Sequence, residues 1–153
     1  MHSLDPEGRT LKPQRFNILL VEDNAADARL FEMAVREFAP RISIYWVATS
    51  AEAIEALQKR DRFQDILGID VVIVDLNMPG VSGFDTLDTI KKDPALKVKP
   101  VLVMSSSANP DDIQRSYALG ANTYFVKPMT LEGLNHLARC VARYWLEMAA
   151  LTP

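Results

Sequence analysis

An α/β fold built on a doubly wound parallel sheet is what the residue pattern of this chain predicts, and three observations carry that reading. Short β-branched runs alternate with amphipathic segments in five successive units. The runs are strand-sized, and the central one, Val71-Val72-Ile73-Val74, is apolar throughout, as in a strand covered on both faces. Three runs end in charged residues: Ile18 to Val21 in Glu22-Asp23, Val71 to Val74 in Asp75, and Tyr124-Phe125-Val126 in Lys127. Open α/β sheets place their ligands at such strand ends.

The elements follow in order. Met1 to Gln14 holds Pro6, Gly8 and Pro13 without sustained periodicity, so residues 1–15 are expected to form a flexible leader. Strand one spans Asn17 to Glu22. Helix one runs from Ala25 to Phe38, with Leu30, Phe31, Ala34, Val35 and Phe38 at helical spacing before Pro40 stops it. Strand two covers Ile42 to Ala48, and Ser50 is the expected cap of helix two, which carries Ala53, Ile54 and Leu57. Arg62 to Asp70 reads as a connection. Strand three is Val71 to Asp75 and helix three is Phe84 to Lys92, with Pro94 and Pro100 bracketing the loop before strand four, Val101 to Ser105. Asn109 as cap, Pro110 at the first helical position and Asp111-Asp112 in the first turn launch helix four, which ends near Gly120. Strand five, Thr123 to Val126, leads through Lys127-Pro128 into helix five from Thr130.

Helix five is long. Leu134, Leu137, Val141, Tyr144 and Met148 repeat at spacings of three and four, and Trp145 and Leu146 extend the apolar content past what covering a sheet requires. Two readings are open: a core-facing stripe with a frayed end, or a surface for self-association. The aromatic-rich end and the trailing Leu151 favour the second, with Leu137, Val141, Tyr144, Trp145 and Met148 as candidate homodimer contacts.

A chain of 153 residues with a net charge of −3 fits one domain and offers no basic cluster of nucleic-acid type, so direct DNA binding is not expected. The amino terminus is polar and no apolar stretch reaches membrane-spanning length, which predicts a cytoplasmic protein that does not enter membranes. Cys140 is the single cysteine. An internal disulfide and a cysteine-based metal site are thereby excluded, and Cys140 is expected to be a small packed residue of helix five. His136 reads as a surface residue.

If the three charged-ended runs are neighbouring strands, Glu22, Asp23, Asp75 and Lys127 meet at one sheet edge. Unit charges about 4 Å apart at an effective dielectric near 20 interact by roughly 4 kcal/mol, so bare carboxylates there would repel strongly. A divalent cation relieves this, and hard oxygen ligands suit Mg²⁺ better than zinc.

Glu22-Asp23, Asp75, Ser105 and Lys127, with the patterns Asp75-x-Asn77-Met78-Pro79-Gly80 and Tyr124-x-x-Lys127-Pro128, resemble the receiver domain of two-component response regulators. The likeness covers residues 16–146, leaving 147–153 as a tail that continues helix five. It implies a flavodoxin-like (βα)5 three-layer sandwich with a five-stranded parallel sheet of order 2-1-3-4-5. It further implies a phosphorylation-dependent signalling switch that takes a phosphoryl group from a histidine kinase and promotes only its own phosphorylation and dephosphorylation. Asp75 would be the phosphoacceptor. Asp23 would bind Mg²⁺ directly, Glu22 through a water, and the Asp75 carboxylate and the Asn77 backbone carbonyl would complete the protein ligands. Many receivers have Asp where this chain has Glu22.

By the same resemblance, Lys127 pairs with a phosphoryl oxygen and Ser105 donates its hydroxyl to the phosphoryl group. Ser106 and Ser107 compete for that position, and counting five residues from Pro100 selects Ser105. Tyr124 corresponds to the switch aromatic that turns inward, altering the face made by helix four, strand five and helix five. Asn77 and Ser107 fall at rate-tuning positions, neither acidic nor bulky, which predicts a moderately short-lived phosphate. Gly80 and Gly83 are expected to serve loop geometry through positive φ, Ser82 stands where receivers often carry an acid, and the family has a cis bond before Pro128.

Two other classes are weaker. A haloacid-dehalogenase-like phosphatase needs a second acid where Asn77 stands, and a flavodoxin needs a glycine- and hydroxyl-rich phosphate loop where Glu22-Asp23 would repel the phosphate. A receiver-like binding or dimerisation module that is no longer phosphorylated is the remaining alternative. Within the family, Glu22-Asp23-Asn24-Ala25-Ala26-Asp27 and Tyr144-Trp145 resemble single-domain regulators of bacterial and cyanobacterial phytochromes. That likeness implies a phytochrome histidine kinase as partner and homodimers through helix five.

Overall fold

The computed structural model describes residues 6–8, 15–59, 68–78 and 82–149. Five parallel strands form one sheet in the order β2-β1-β3-β4-β5. They are β1 (Phe16–Val21), β2 (Ile42–Val47), β3 (Val71–Val74), β4 (Val101–Ser105) and β5 (Thr123–Val126). Among the described residues five α-helices connect or follow them: α1 (Ala25–Phe38), α2 (Ser50–Leu57), α3 (Gly83–Lys92), α4 (Pro110–Ala118) and α5 (Leu131–Arg143). The expected (βα)5 sandwich and its strand order are what the chain adopts.

Strand pleating divides the core into two layers, because successive side chains point to opposite faces. Leu19, Val21, Val72, Val74, Val101 and Val103 pack on one face against Ala53 and Leu57 of α2 and Leu87 and Ile90 of α3. Ile18, Leu20, Val71, Ile73, Leu102 and Met104 pack on the other against Phe31 and Val35 of α1 and Ala138 and Val141 of α5. Each of β1, β3 and β4 is buried along its whole length, which explains why their sequences do not alternate.

The caps fix where each helix begins beyond its strand. Asn24 accepts from the Asp27 backbone N–H, Ser82 from Asp85, Asn109 from Asp111, and Thr130 from Gly133. Helix α2 departs from expectation: Thr49, not Ser50, is the cap and accepts from the Glu52 N–H at 3.1 Å. Thr49 is extended and can cap, whereas Ser50 already lies in the helix, buried, with its hydroxyl bonded to that of Thr86 on α3. Gly120, at φ +107°, ends α4 as a left-handed residue.

Gly83 is needed for space rather than for positive φ. A Cβ there would overlap the Asp75 carbonyl and come within 2.6 Å of the Leu76 Cα, so α3 starts directly against the backbone that carries Asp75. Gly80 and Pro79 lie outside the described residues, as do most of the expected leader and of the 62–70 connection. No peptide bond among the described residues is cis, so Lys127–Pro128 is trans, the isomer X-Pro bonds favour.

Helix five does not continue as an α-helix to Met148. At Tyr144 it widens into a π-helical turn, Tyr144–Met148. Trp145 and Leu146, one turn beyond the buried pair Val141 and Ala142, pack against the α1-side core, while Tyr144 and Met148 stay 55% and 75% exposed. Cys140 is exposed, contrary to its expected packing, because it lies on the solvent-facing stripe with His136, whose Nε2 is 3.8 Å from its Sγ. No helix among the described residues is long and apolar enough to cross a membrane.

Candidate functional site

Strand register brings the charged residues level. Val21 pairs with Val74 and Val47, Val74 with Val103, and Ser105 with Val126. The ladder then runs one residue past three strand ends: Glu22 N–H donates to Val47 O (3.0 Å), Asp75 N–H to Val21 O (3.0 Å) and Lys127 N–H to Ser105 O (2.7 Å). Each functional backbone is thus held by the neighbouring strand, and only the side chains are left to define the cleft.

Within it, Glu22, Asp23 and Asp75 each offer a carboxylate oxygen, all within 4.8 Å of one another. Glu22 and Asp75 are buried, at 2% and 6% exposure, while Asp23 faces solvent. Lys127 closes the group: its Nζ lies 3.0 Å from Glu22 Oε2, 3.3 Å from Asp27 Oδ2 and 3.4 Å from Asp75 Oδ2. The oxygen cluster has the chemistry of a hard-cation site, with the exposed Asp23 side open to water and incoming ligands.

The electrostatics follow from burial. Desolvation and then the charge of Asp75 push the Glu22 carboxyl up to about 7, against the bonds it accepts from Lys127 and the Asn24 N–H. Burial by itself would lower the Lys127 ammonium. The Glu22 bond, the charges of Asp75 and Glu22, and the Asp27 bond outweigh it and raise Lys127 above its ordinary value. A proton competes for Glu22 near neutral pH, which is what a pocket with too many carboxylates for its one ammonium produces.

Asn77 bridges the two central strand ends. Its backbone N–H donates to Asp75 Oδ1 (3.0 Å), and its Nδ2 donates to the Ser105 hydroxyl (3.2 Å) and the Ser106 hydroxyl (3.4 Å). Ser105 is buried, whereas Ser106 is exposed and Ser107 turns toward α4, where its hydroxyl donates to Asp112 Oδ2 at 2.6 Å. The Ser107 N–H donates to Ser105 Oγ (3.1 Å), and Tyr124 OH donates to the Ser107 carbonyl (2.8 Å). Tyr124 is half-buried and packs against the α2/α3-side core.

The proposed dimer residues separate. Val141 is 3% exposed inside its own core, and Leu137 and Trp145 pack partly on that core, so Val141 has no surface to offer a second chain. Tyr144 and Met148 keep theirs. Three participants escaped the sequence reading. Asp27 reaches Lys127 from the first turn of α1, Trp46 Nε1 donates to the Glu22 carbonyl at 2.6 Å, and Asp112 holds Ser107. Only Asp27 had a legible signal, its place one turn beyond the acidic strand end.

Comparison with known proteins supplies the family. The response regulator receiver domain matches residues 18–139 of this chain. This chain belongs to that family. Receiver domains are signalling phosphoacceptors rather than classical enzymes, and the phosphatase and flavodoxin readings fall away. The receiver is 32% identical to the response regulator Rcp1 of Synechocystis sp. over 134 residues, 88% of this chain and 91% of that protein. Its fold superposes on the phosphorylated cyanobacterial phytochrome response regulator RcpA with a TM-score of 0.84 at 35% identity, covering 91% of this chain and 99% of RcpA. The Mn²⁺-bound form of Rcp1 gives a TM-score of 0.82 at 31% identity, covering 90% of this chain and 99% of Rcp1.

Proposed function

We propose that this receiver accepts a phosphoryl group on Asp75 from a histidine kinase, with Mg²⁺ held by Glu22, Asp23, Asp75 and the Asn77 carbonyl. The observation that carries the reading is the convergence of three carboxylates and the Lys127 ammonium on one strand end. The metal, when bound, supplies neutralisation of charge on the phosphoryl oxygens.

This chain's residues do the rest. The Asp75 carboxylate oxygen forms a bond to phosphorus as the P–N bond of the donor phosphohistidine breaks. The electron pair returns to the imidazole nitrogen, which takes a proton. Lys127 lies within reach of Asp75 Oδ2 and pairs with a phosphoryl oxygen, so positioning rather than acid–base chemistry provides the catalysis. The same groups allow water to remove the phosphate later. Asn77 and Ser107 tune that step and leave the phosphate moderately short-lived.

The switch begins at Ser105. Its hydroxyl now accepts from Asn77 and from the Ser107 N–H, and a new anion beside Asp75 would draw it away from Asn77. Ser107 follows through its N–H, and with it the carbonyl that Tyr124 holds. Motion at Asp75 thereby reaches the face of α4, β5 and α5. Output is read by a partner on that face in the cytoplasm, without direct DNA contact.

Similarity to RcpA, a cyanobacterial phytochrome response regulator, supports a phytochrome histidine kinase as donor. Exposed Tyr144 and Met148 support homodimers through the end of α5, with residues 16–146 as the receiver unit. Phosphotransfer from a panel of purified kinases, phytochromes included, tests the donor: selective transfer from a phytochrome kinase supports it, and transfer only from others contradicts it. Beryllofluoride with Mg²⁺ tests the switch. Unchanged tryptophan fluorescence and association state would favour an inert binding module.

A further inference from the structure

We propose that Asp27 is a positioning residue for Lys127, anchoring its ammonium from the α1 side while the phosphoryl group enters. The inference rests on the functional reading above and adds a residue to it. Lys127 has three N–H donors, and three carboxylate oxygens receive them: Glu22 Oε2, Asp27 Oδ2 and Asp75 Oδ2. Two of these carboxylates would be engaged elsewhere during the proposed reaction, Glu22 by a water of the metal and Asp75 by phosphorus. Asp27 is the one that stays with the lysine throughout.

A cavity of about 170 Å³, lined among others by Leu30, Met104, Lys127 and Pro128, adjoins the lysine and leaves space beside its flexible stem. Asp27 lines the same cavity. Its own position is fixed by the cap, because its backbone N–H donates to Asn24 Oδ1 at 3.1 Å in the first turn of α1. The side chain of Asp27 is 43% exposed, so solvent screens its charge at the metal pocket, and its effect passes through the bond to Lys127.

Acetyl phosphate is a donor that needs no kinase. The Asp75 oxygen forms its bond to phosphorus as the bond to the acetate oxygen breaks, and acetate leaves with the electron pair. With Mg²⁺ present, Asp27→Ala is expected to lower the maximal phosphorylation rate about tenfold, with little change in half-saturating donor. Half-saturating Mg²⁺ should shift less than about twofold, since no metal-directed oxygen is removed. Asp27→Glu should restore most of the rate, and Asp27→Ala added to Lys127→Ala should cost nothing more. The proposal is overturned if Asp27→Ala keeps the native rate, if Glu fails to restore it, if Mg²⁺ affinity falls in parallel, or if the loss persists without Lys127. A native rate for Lys127→Ala alone would instead overturn the functional reading, and the positioning role with it.

Discussion

Lys127 Nζ lies 3.0 Å from Oε2 of Glu22, a residue 105 positions earlier in the chain and 2% exposed. The contact ties the end of β5 to the end of β1 across two intervening strands. It balances part of the negative charge that the fold gathers at Asp75.

Removing the ammonium should therefore destabilise the fold in a pH-dependent way. Lys127→Met leaves buried Glu22 and Asp75 facing each other, and we expect a loss of about 2–4 kcal/mol above neutral pH. The loss should shrink at about pH 5–6, where Glu22 takes up a proton and the missing lysine matters less. Urea unfolding of both proteins across this range checks the expectation.

Glu22 predicts a second pH effect. Its carboxyl is raised from 4.5 to about 7, so the folded chain binds this proton more tightly than the unfolded one. The resulting stabilisation is complete below 4.5 and is lost as pH rises through about 7. Metal-free protein should melt lower at about pH 8 than at about pH 6, and Glu22→Gln should flatten the difference. Because Mg²⁺ competes with that proton, its affinity should rise over the same interval.

Trp46 provides a probe of the pocket, since its indole N–H donates to the Glu22 carbonyl. Its fluorescence should change as Mg²⁺ binds. Asp23→Asn neutralises an exposed carboxylate of the proposed metal site without disturbing the core, so half-saturating Mg²⁺ should rise about tenfold or more while the unfolding midpoint in metal-free buffer stays near native. Equal Mg²⁺ affinity in the variant would remove Asp23 from the ligand set.

Gly83→Ala tests the packing of α3 against the strand end. The added methyl would overlap the Asp75 carbonyl, so a cost of about 1–3 kcal/mol is expected, with slower phosphorylation because Asp75 itself is displaced. A neutral result by urea unfolding would show that α3 can withdraw.

Much of this architecture was legible in the residue pattern. The apolar runs Ile18 to Val21 of β1 and Val71 to Val74 of β3 reflect burial on both faces, and parallel register then forces Glu22, Asp75 and Lys127 to one edge. What could not be read depends on side-chain direction. Thr49 displaced Ser50 as a cap because Ser50 turned inward to Thr86, and Val141 left the candidate interface because α5 presents it to the sheet. Trp46 joins the site only through tertiary contact, and Asp27, one turn beyond the acidic strand end, shows its part only once Lys127 is brought beside it.

The central claim is that Asp75 carries the phosphoryl group, and mapping the modified residue tests it most directly. After phosphotransfer in Mg²⁺, mass spectrometry of the native receiver should locate one hydroxylamine-labile phosphoryl group on Asp75, absent from Asp75→Asn and absent when Mg²⁺ is chelated. A phosphoryl group found on another residue, or equal labelling of Asp75→Asn, would contradict it.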